Sequence, residues 1–252
     1  MGGREVWNRY AAYFNAEEFQ VFPPDHREIE FYKALRTEFS GECLEIGAGS
    51  GRLARALFNR GSTTALEPSD AMIASWSSAD SALALRVQGT GELLPFPDGS
   101  FQFVCFPYNG LQCVLDPGCR RRILEEAFRV TAPGGAFVLE VSPIFSRRPE
   151  EPLSERYRTV LDDGRELSLS ERVERCPLTG NIRYHMFYTV KGSAGEAVED
   201  VILELASLSA DETLRMVGSA GFREVSHFGD YDLSAFDEEC SPRLLVKAVK
   251  GV

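Results

Sequence analysis

Hydrophobic positions along the chain change period three times, and each change marks a different kind of element. From residue 4 to 20, Trp7, Tyr10, Ala11 and Phe14 recur at helical spacing, which predicts an amphipathic helix with an aromatic stripe. Pro23-Pro24 then breaks the chain, and a second helix is predicted over about residues 26 to 39. From Glu42 onward short apolar runs alternate with helical patterns: Cys43-Leu44-Glu45-Ile46, then Leu53 to Phe58, Thr63 to Leu66, and Ala71 to Trp76. Further strands are predicted at Leu83 to Val87, Phe101 to Phe106 and Ala136 to Val141, with a helix at about 118 to 131 before the turn Ala132-Pro133-Gly134-Gly135. Strands that alternate with helices in this way imply a parallel sheet joined by right-handed crossovers.

After Pro143 the text becomes extended and alternating, with runs at Leu167 to Arg175, Ile182 to Val190 and Val198 to Leu205. Turn signals at Asp163-Gly164 and Thr179-Gly180-Asn181 make this stretch an antiparallel meander inserted into the parallel pattern. A helix at about 210 to 219, capped by Ser209, and strands near Phe222 to Phe228 and Leu244 to Val249 complete the series. The expected fold is α/β: a Rossmann-like, doubly wound, mostly parallel seven-stranded sheet with a small inserted antiparallel sheet and an N-terminal helical lid. The expected units are the lid at 1–39, a core at 40–145, the insertion at 146–206 and a C-terminal completion of the core sheet at 207–252.

Composition narrows the function classes. A chain of 252 residues with 44% hydrophobic content buries a substantial core. Its net charge of −11 repels phosphate backbones and anionic lipid surfaces, so neither a nucleic-acid nor a membrane partner is expected. The run Arg120-Arg121-Arg122 reads as a solvated helix face. The 6 cysteines form no Cys-x-x-Cys pair and there are 3 histidines, so no metal site and no disulfide framework is suggested. With no apolar secretory stretch at the N-terminus, a cytoplasmic protein is expected.

Candidate chemistry centres on the turn Glu45-Ile46-Gly47-Ala48-Gly49-Ser50-Gly51, where a strand meets a helix. Glycine there lets a ligand approach the backbone while the helix start presents free N–H groups. Glu67, at the end of the next strand, is placed to accept hydrogen bonds from the two hydroxyls of an adenosine ribose. Gly47, Gly49 and Gly51 are spaced by two, which departs from the Gly-x-Gly-x-x-Gly of dinucleotide sites. No Tyr-x-x-x-Lys pair supports an NAD-dependent oxidoreductase either.

Leu44 to Gly51 resembles the first motif of class I S-adenosylmethionine-dependent methyltransferases. Leu66-Glu67-Pro68-Ser69 with Met72, then Gly89 to Phe96, and Pro133-Gly134-Gly135 are similar to later motifs of that family, in order, over residues 40 to 142. The resemblance implies S-adenosyl-L-methionine as cofactor. It places Glu45, Gly47, Ala48, Gly49 and Gly51 around the amino-acid portion and Glu67, Pro68 and Met72 around the ribose. Thr90, Gly91 and Glu92 would stand near the adenine, and Phe106 at the sheet edge. Thr90 stands where many relatives carry aspartate, so the adenine amino contact is open between Thr90, Glu92 and neither.

The fourth strand ends in Cys105-Phe106-Pro107-Tyr108-Asn109-Gly110-Leu111-Gln112-Cys113, at the sheet edge where acceptors meet the cofactor. Phe106-Pro107-Tyr108 shares half of the Asp/Asn-Pro-Pro-Tyr signature of nucleic-acid amino-methyltransferases, but Cys105 and Phe106 replace its polar residue and first proline. Asn109 to Cys113 is more similar to the Asn-Ser-Leu-Gln-His-like run of amino-sugar and antibiotic-tailoring N-methyltransferases. Cys113 replaces the histidine of that run, which removes an obvious general base and fits an amine nucleophile better than a hydroxyl. The resemblance implies Tyr108 and Asn109 at the acceptor, with Tyr10 and Tyr13 of the lid closing over the site, their hydroxyls toward substrate. His185 is a second candidate base. The insertion would shape the acceptor pocket or a homodimer contact, its arginines paired with the interleaved glutamates. A small-molecule methyl acceptor, modified on nitrogen or else on oxygen, is the expected substrate. A non-catalytic binding protein on the same fold is the other reading.

Overall fold

The computed structural model describes residues 3–17, 21, 25–57, 62–76, 84–193 and 195–251. The parallel part of the pattern forms β1 (Cys43–Ile46), β2 (Thr63–Glu67), β3 (Leu85–Gln88), β4 (Phe101–Phe106) and β5 (Thr131–Val141). They are joined with β10 (Arg223–Phe228) and β11 (Leu244–Val249) into one seven-stranded sheet of order β10-β11-β5-β4-β1-β2-β3. β1 to β5 run parallel, and β11 lies antiparallel between β5 and β10. The chain moves outward from β1 to β3 and then crosses back to β4 on the other side of β1. That reversal sets the turns after β1 and β4 side by side, at the crevice where such sheets bind ligands.

Alternation decides which face each strand residue covers. In β4, Val104 and Phe106 pack with Leu44, Ile46 and Leu139 on one face, while Phe103 and Cys105 pack with Cys43 and Val138 on the other. The first face is covered by α5 (Pro117–Val130) and α7 (Ala210–Ser219), the second by α2 (His26–Glu38) and α3 (Arg52–Leu57). Short polar side chains fix the helix starts. Asp25 caps α2 by accepting the Arg27 N–H at 2.9 Å, and Asp116 caps α5 by accepting the Cys119 N–H at 2.7 Å. Ser209 caps α7 as the sequence predicts.

The insertion is a four-stranded antiparallel sheet of β6 (Glu151–Val160), β7 (Glu166–Arg175), β8 (Ile182–Gly192) and β9 (Gly195–Leu205). Its first strand, Glu-Pro-Leu-Ser-Glu-Arg-Tyr-Arg-Thr-Val, is not among the runs picked out by alternation. It lies at the sheet edge with both faces largely exposed, so burial writes no period of two into it. A short α6 (Ile144–Arg147) leads into this sheet. Two other boundaries differ from expectation. β3 starts at Leu85, and β5 begins at Thr131, then bulges through Pro133-Gly134-Gly135 before resuming at Ala136 opposite Phe103.

One face of the inserted sheet carries Leu167, Leu169, Val173, Tyr184, Met186, Tyr188 and Val201, and α1 (Gly3–Ala16) lays Val6, Tyr10 and Tyr13 against it. The lid helix therefore bridges the inserted sheet and the core. Its Asn8 Oδ1 accepts the Ser69 hydroxyl at 2.6 Å, just before α4 (Asp70–Ala74).

Candidate active site

The turn after β1 is built on left-handed glycines: Gly47, Gly49 and Gly51 have φ of +69°, +54° and +82°. Gly47 and Ala48 donate their N–H groups to the Leu66 carbonyl at 2.8 and 3.0 Å, which ties the turn to the end of β2. The turn is walled by rings. A Cβ on Gly51 would fall 2.1 Å from the Trp76 ring, and one on Gly47 would fall 3.1 Å from Phe106. Trp76 Nε1 also donates to the Gly49 carbonyl at 2.9 Å. At Gly49 the nearest atom to a Cβ position is 3.9 Å away and belongs to Phe14 of the lid. The turn is thus most open on the side that α1 covers. Glu45 and Ala48 are buried beside it.

Glu67 closes the cradle. Its Oε2 accepts the Gly49 N–H at 2.9 Å and its Oε1 accepts the Ser69 N–H at 2.8 Å. Burial raises its pKa, and these two N–H groups oppose the rise. Both oxygens are held by backbone N–H groups at the end of β2. Met72 is buried behind the Ser69 cap and Pro68 is half-buried at the rim. Past β3, Thr90 is exposed and Glu92 half-buried, whereas Gly91 is buried with its Cβ position 3.2 Å from Ile123 and 3.3 Å from Ile46. Gly91 therefore serves close packing of the loop against the core. An open glycine cradle with a fixed carboxylate at its edge fits S-adenosyl-L-methionine.

The neighbouring turn after β4 is strained. Tyr108 and Asn109 are consecutive non-glycine residues at φ of 50° and 63°. A 3₁₀ turn over Gly110–Cys113 follows, and a Cβ on Gly110 would overlap the Phe106 ring at 2.0 Å. Tyr108 is 61% exposed, with the Arg52 guanidinium 5.6 Å from its ring centre. Asn109 Oδ1 is buried and has no hydrogen-bond partner. Beneath the turn, Glu140 Oε2 accepts the Tyr108 N–H at 3.3 Å and the Tyr231 hydroxyl at 2.9 Å. Burial, reinforced by nearby Glu28, pushes the Glu140 carboxyl up to about 7, against the pull of Arg243. Glu28 in turn pairs with Arg52, Nη2 to Oε1, at 2.8 Å.

Gln112 is fully buried and joins three segments. Its Nε2 donates to the carbonyls of Ser142 and Ala206 at 3.2 Å each, and its Oε1 accepts the Ser142 N–H at 2.7 Å. Its own carbonyl accepts the Ala206 N–H at 2.7 Å. Burial pushes the Cys113 thiol up to about 12, so it keeps its proton and is no base.

The structure packs the Tyr10 and Tyr13 rings against the inserted sheet and turns their hydroxyls elsewhere than expected. Tyr10 donates to Glu17 and Tyr13 to Glu199 at 2.7 Å, because a buried phenol needs an acceptor and both carboxylates lie between lid and inserted sheet. His185 is on the face opposite Tyr184, Met186 and Tyr188, with Nε2 2.9 Å from Glu174, and stands apart from the site. The arginines of the insertion are satisfied. Arg156, Arg158, Arg165, Arg172 and Arg183 pair with acidic neighbours, and Arg175 donates to the carbonyls of Gly180, Phe145 and Arg148. Trp76, Glu17 and Glu140 are the site residues that sequence reasoning missed. Glu140 carries a readable signal, as the one acid within Phe137-Val138-Leu139-Glu140-Val141.

Residues 44–139 match the model of a family described as a methyltransferase domain. No curated protein matches the sequence. The fold is shared with the CcbJ methyltransferase from Streptomyces caelestis, at 19% identity over 100% of both chains and a TM-score of 0.80. It is shared also with the sugar N-methyltransferase KedS8 from Streptoalloteichus, at 18% identity over 96% of this chain and 92% of that one, TM-score 0.77. CalS10, an amino pentose methyltransferase from Micromonospora echinaspora, gives 19% identity over 96% of both chains and a TM-score of 0.73. The family match spans the glycine cradle and marks residues 44–139 as a methyltransferase domain. The chain is a methyltransferase enzyme, with S-adenosyl-L-methionine as its cofactor. Among the described residues no helix is long and apolar enough to cross a membrane.

Proposed function

We propose that the chain methylates a nitrogen of a small molecule, as an N-methyltransferase of the amino-sugar or antibiotic-tailoring kind. The observation that carries this reading is the buried, unpartnered Oδ1 of Asn109 in a strained turn beside the cofactor cradle. A buried acceptor left without a donor costs about 1–3 kcal/mol, and an N–H of the bound substrate removes that cost. An O–H would also donate, but a hydroxyl nucleophile needs a base close by. Cys113 holds its proton, His185 is on the far face, and Glu140 lies under the turn with Oε2 taken by the Tyr108 N–H and the Tyr231 hydroxyl and Oε1 facing Arg243. A net charge of −11 supports a small-molecule partner over a nucleic acid.

In this reading the backbone of Gly47, Ala48, Gly49 and Gly51, with Glu45 behind it, holds the amino-acid end of the cofactor. Glu67 holds the ribose hydroxyls, flanked by Pro68 and Met72. The loop Thr90-Gly91-Glu92 borders the adenine and Phe106 floors the crevice. When bound, the cofactor supplies a methyl group on a sulfonium, open to in-line displacement. The chain's own part is to align the acceptor through Tyr108 and Asn109 and to keep water out with the rings of Tyr10 and Tyr13.

Calorimetry with S-adenosylhomocysteine tests the cofactor half. Binding is expected, Glu67→Ala should weaken it roughly 100-fold through loss of charge-assisted hydrogen bonds, and NAD should give no heat. Absence of S-adenosylhomocysteine binding by the folded protein would overturn the reading. For the acceptor half, mass spectrometry of a panel of amino and hydroxy sugars should show methyl transfer to amines; transfer confined to hydroxyls would move the assignment to oxygen.

A further inference from the structure

Glu17 lies just past the end of α1, between the lid and the inserted sheet, and only 7% of its surface is exposed. Its carboxylate accepts three phenol hydroxyls: Tyr10 on Oε2 at 2.5 Å, and Tyr157 and Tyr188 on Oε1 at 2.8 Å each. Among the described residues no arginine, lysine or histidine pairs with it. The contrast with other buried acids is direct. Glu28 faces Arg52, Glu140 faces Arg243, and Glu171 faces Arg148 and Arg156. A buried carboxylate is costly without a counter-charge, and phenols supply hydrogen bonds but no charge.

Aromatic rings crowd around Glu17. The Tyr13 and Tyr188 rings stack in parallel at 4.1 Å, Tyr10 stands 6.2 Å from Tyr188, and Trp7 and Phe14 lie 5.7 and 5.4 Å from Tyr10. Aromatic faces attract ammonium groups, more strongly when water is excluded. Burial first, and then the charge of Glu17, raise the pKa of Tyr10, so the phenols remain donors. A carboxylate offers about four acceptor positions. Oε1 already takes two phenols, while Oε2 takes only Tyr10 and keeps a place for one more donor. The cluster also adjoins the active site: Tyr108 acts electrostatically on Tyr10, Cys113 packs in the same apolar group, and Phe14 borders Gly49.

We propose that Glu17, with Tyr10, Tyr157 and Tyr188, is the binding site for an ammonium group of the methyl acceptor, which is therefore a small molecule bearing a basic aliphatic amine. The assignment rests on the methyltransferase reading above and narrows its substrate class. Two features of the whole chain agree with it. The charge of −11 draws cations in, and the arginines of the inserted sheet are already paired, which leaves them unsuited to a phosphate-linked acceptor.

The test uses the full chain saturated with S-adenosylhomocysteine, titrated with cyclohexylammonium or with cyclohexanol, which has the same shape without the charge. Tryptophan fluorescence is the readout, since Trp7 stands in the ring wall. Cyclohexylammonium should bind saturably and cyclohexanol should not. Glu17→Gln should weaken ammonium binding at least tenfold while S-adenosylhomocysteine affinity and Tm show that the variant is folded. Tyr157→Phe, which keeps ring and carboxylate, should weaken ammonium binding less than Glu17→Gln does. Equal binding of the two probes, no saturable ammonium binding, or binding unchanged in Glu17→Gln would overturn the proposal. Those results with intact S-adenosylhomocysteine binding leave the methyltransferase reading standing; loss of S-adenosylhomocysteine binding by wild-type protein removes that reading instead.

Discussion

Where a Cβ on Gly51 would enter the Trp76 ring at 2.1 Å, backbone conformation sets a second obstacle, because φ is +82°. Alanine at this position must strain the backbone and displace a ring that also anchors the Gly49 carbonyl. Gly51→Ala is expected to destabilise the protein by roughly 2–4 kcal/mol, measured by denaturant unfolding, and to weaken S-adenosylhomocysteine binding by calorimetry. A neutral substitution would show that Trp76 does not buttress the turn. Much of this cradle is legible in the sequence because it is local: three glycines and Glu67 span 21 residues and announce their geometry by spacing. Glu17 was not legible. Two of its partners, Tyr157 and Tyr188, lie 140 and 171 residues away, and nothing in either segment's own pattern marks the meeting.

Between elements, the same rule holds. Strands buried on both faces, such as β1 and β4, show as apolar runs, and half-buried β7 and β8 show as alternation. β6 shows neither, since an exposed edge places no demand on side-chain polarity. A buried amide ties the two ends of the inserted sheet to the core. Gln112→Leu would leave the Ser142 N–H and the carbonyls of Ser142 and Ala206 without this partner. A loss of roughly 2–4 kcal/mol is expected, together with hydrogen exchange that accelerates most at residues 142 and 206. Wild-type protection at both residues would show that packing alone holds the sheet.

For the molecule as a whole, Glu140 couples stability to pH. In the native state it keeps its proton up to about pH 7, while the unfolded chain releases it near the ordinary 4.5. Between those values the native state binds the additional proton, so stability falls as pH rises through this window. Glu151, held down to about 2 by Arg148 and Arg156, acts in the opposite sense but only in acid, where its contribution is lost. Tm should therefore drop by roughly 5 °C between about pH 5 and about pH 8, and Glu140→Gln should flatten that slope. Parallel slopes for the two proteins would assign the pH dependence to other groups.

The arrangement at Gln112 bears also on how the chain tolerates so long an excursion. Residues 143–205 leave the core and return to it at two points bridged by one side chain. The entropy of closing such a loop grows only with the logarithm of its length, each doubling adding about 0.6 kcal/mol. An enzyme whose sheet departs and rejoins at one place can lengthen, shorten or rewrite it with little effect on the fold that grips the cofactor.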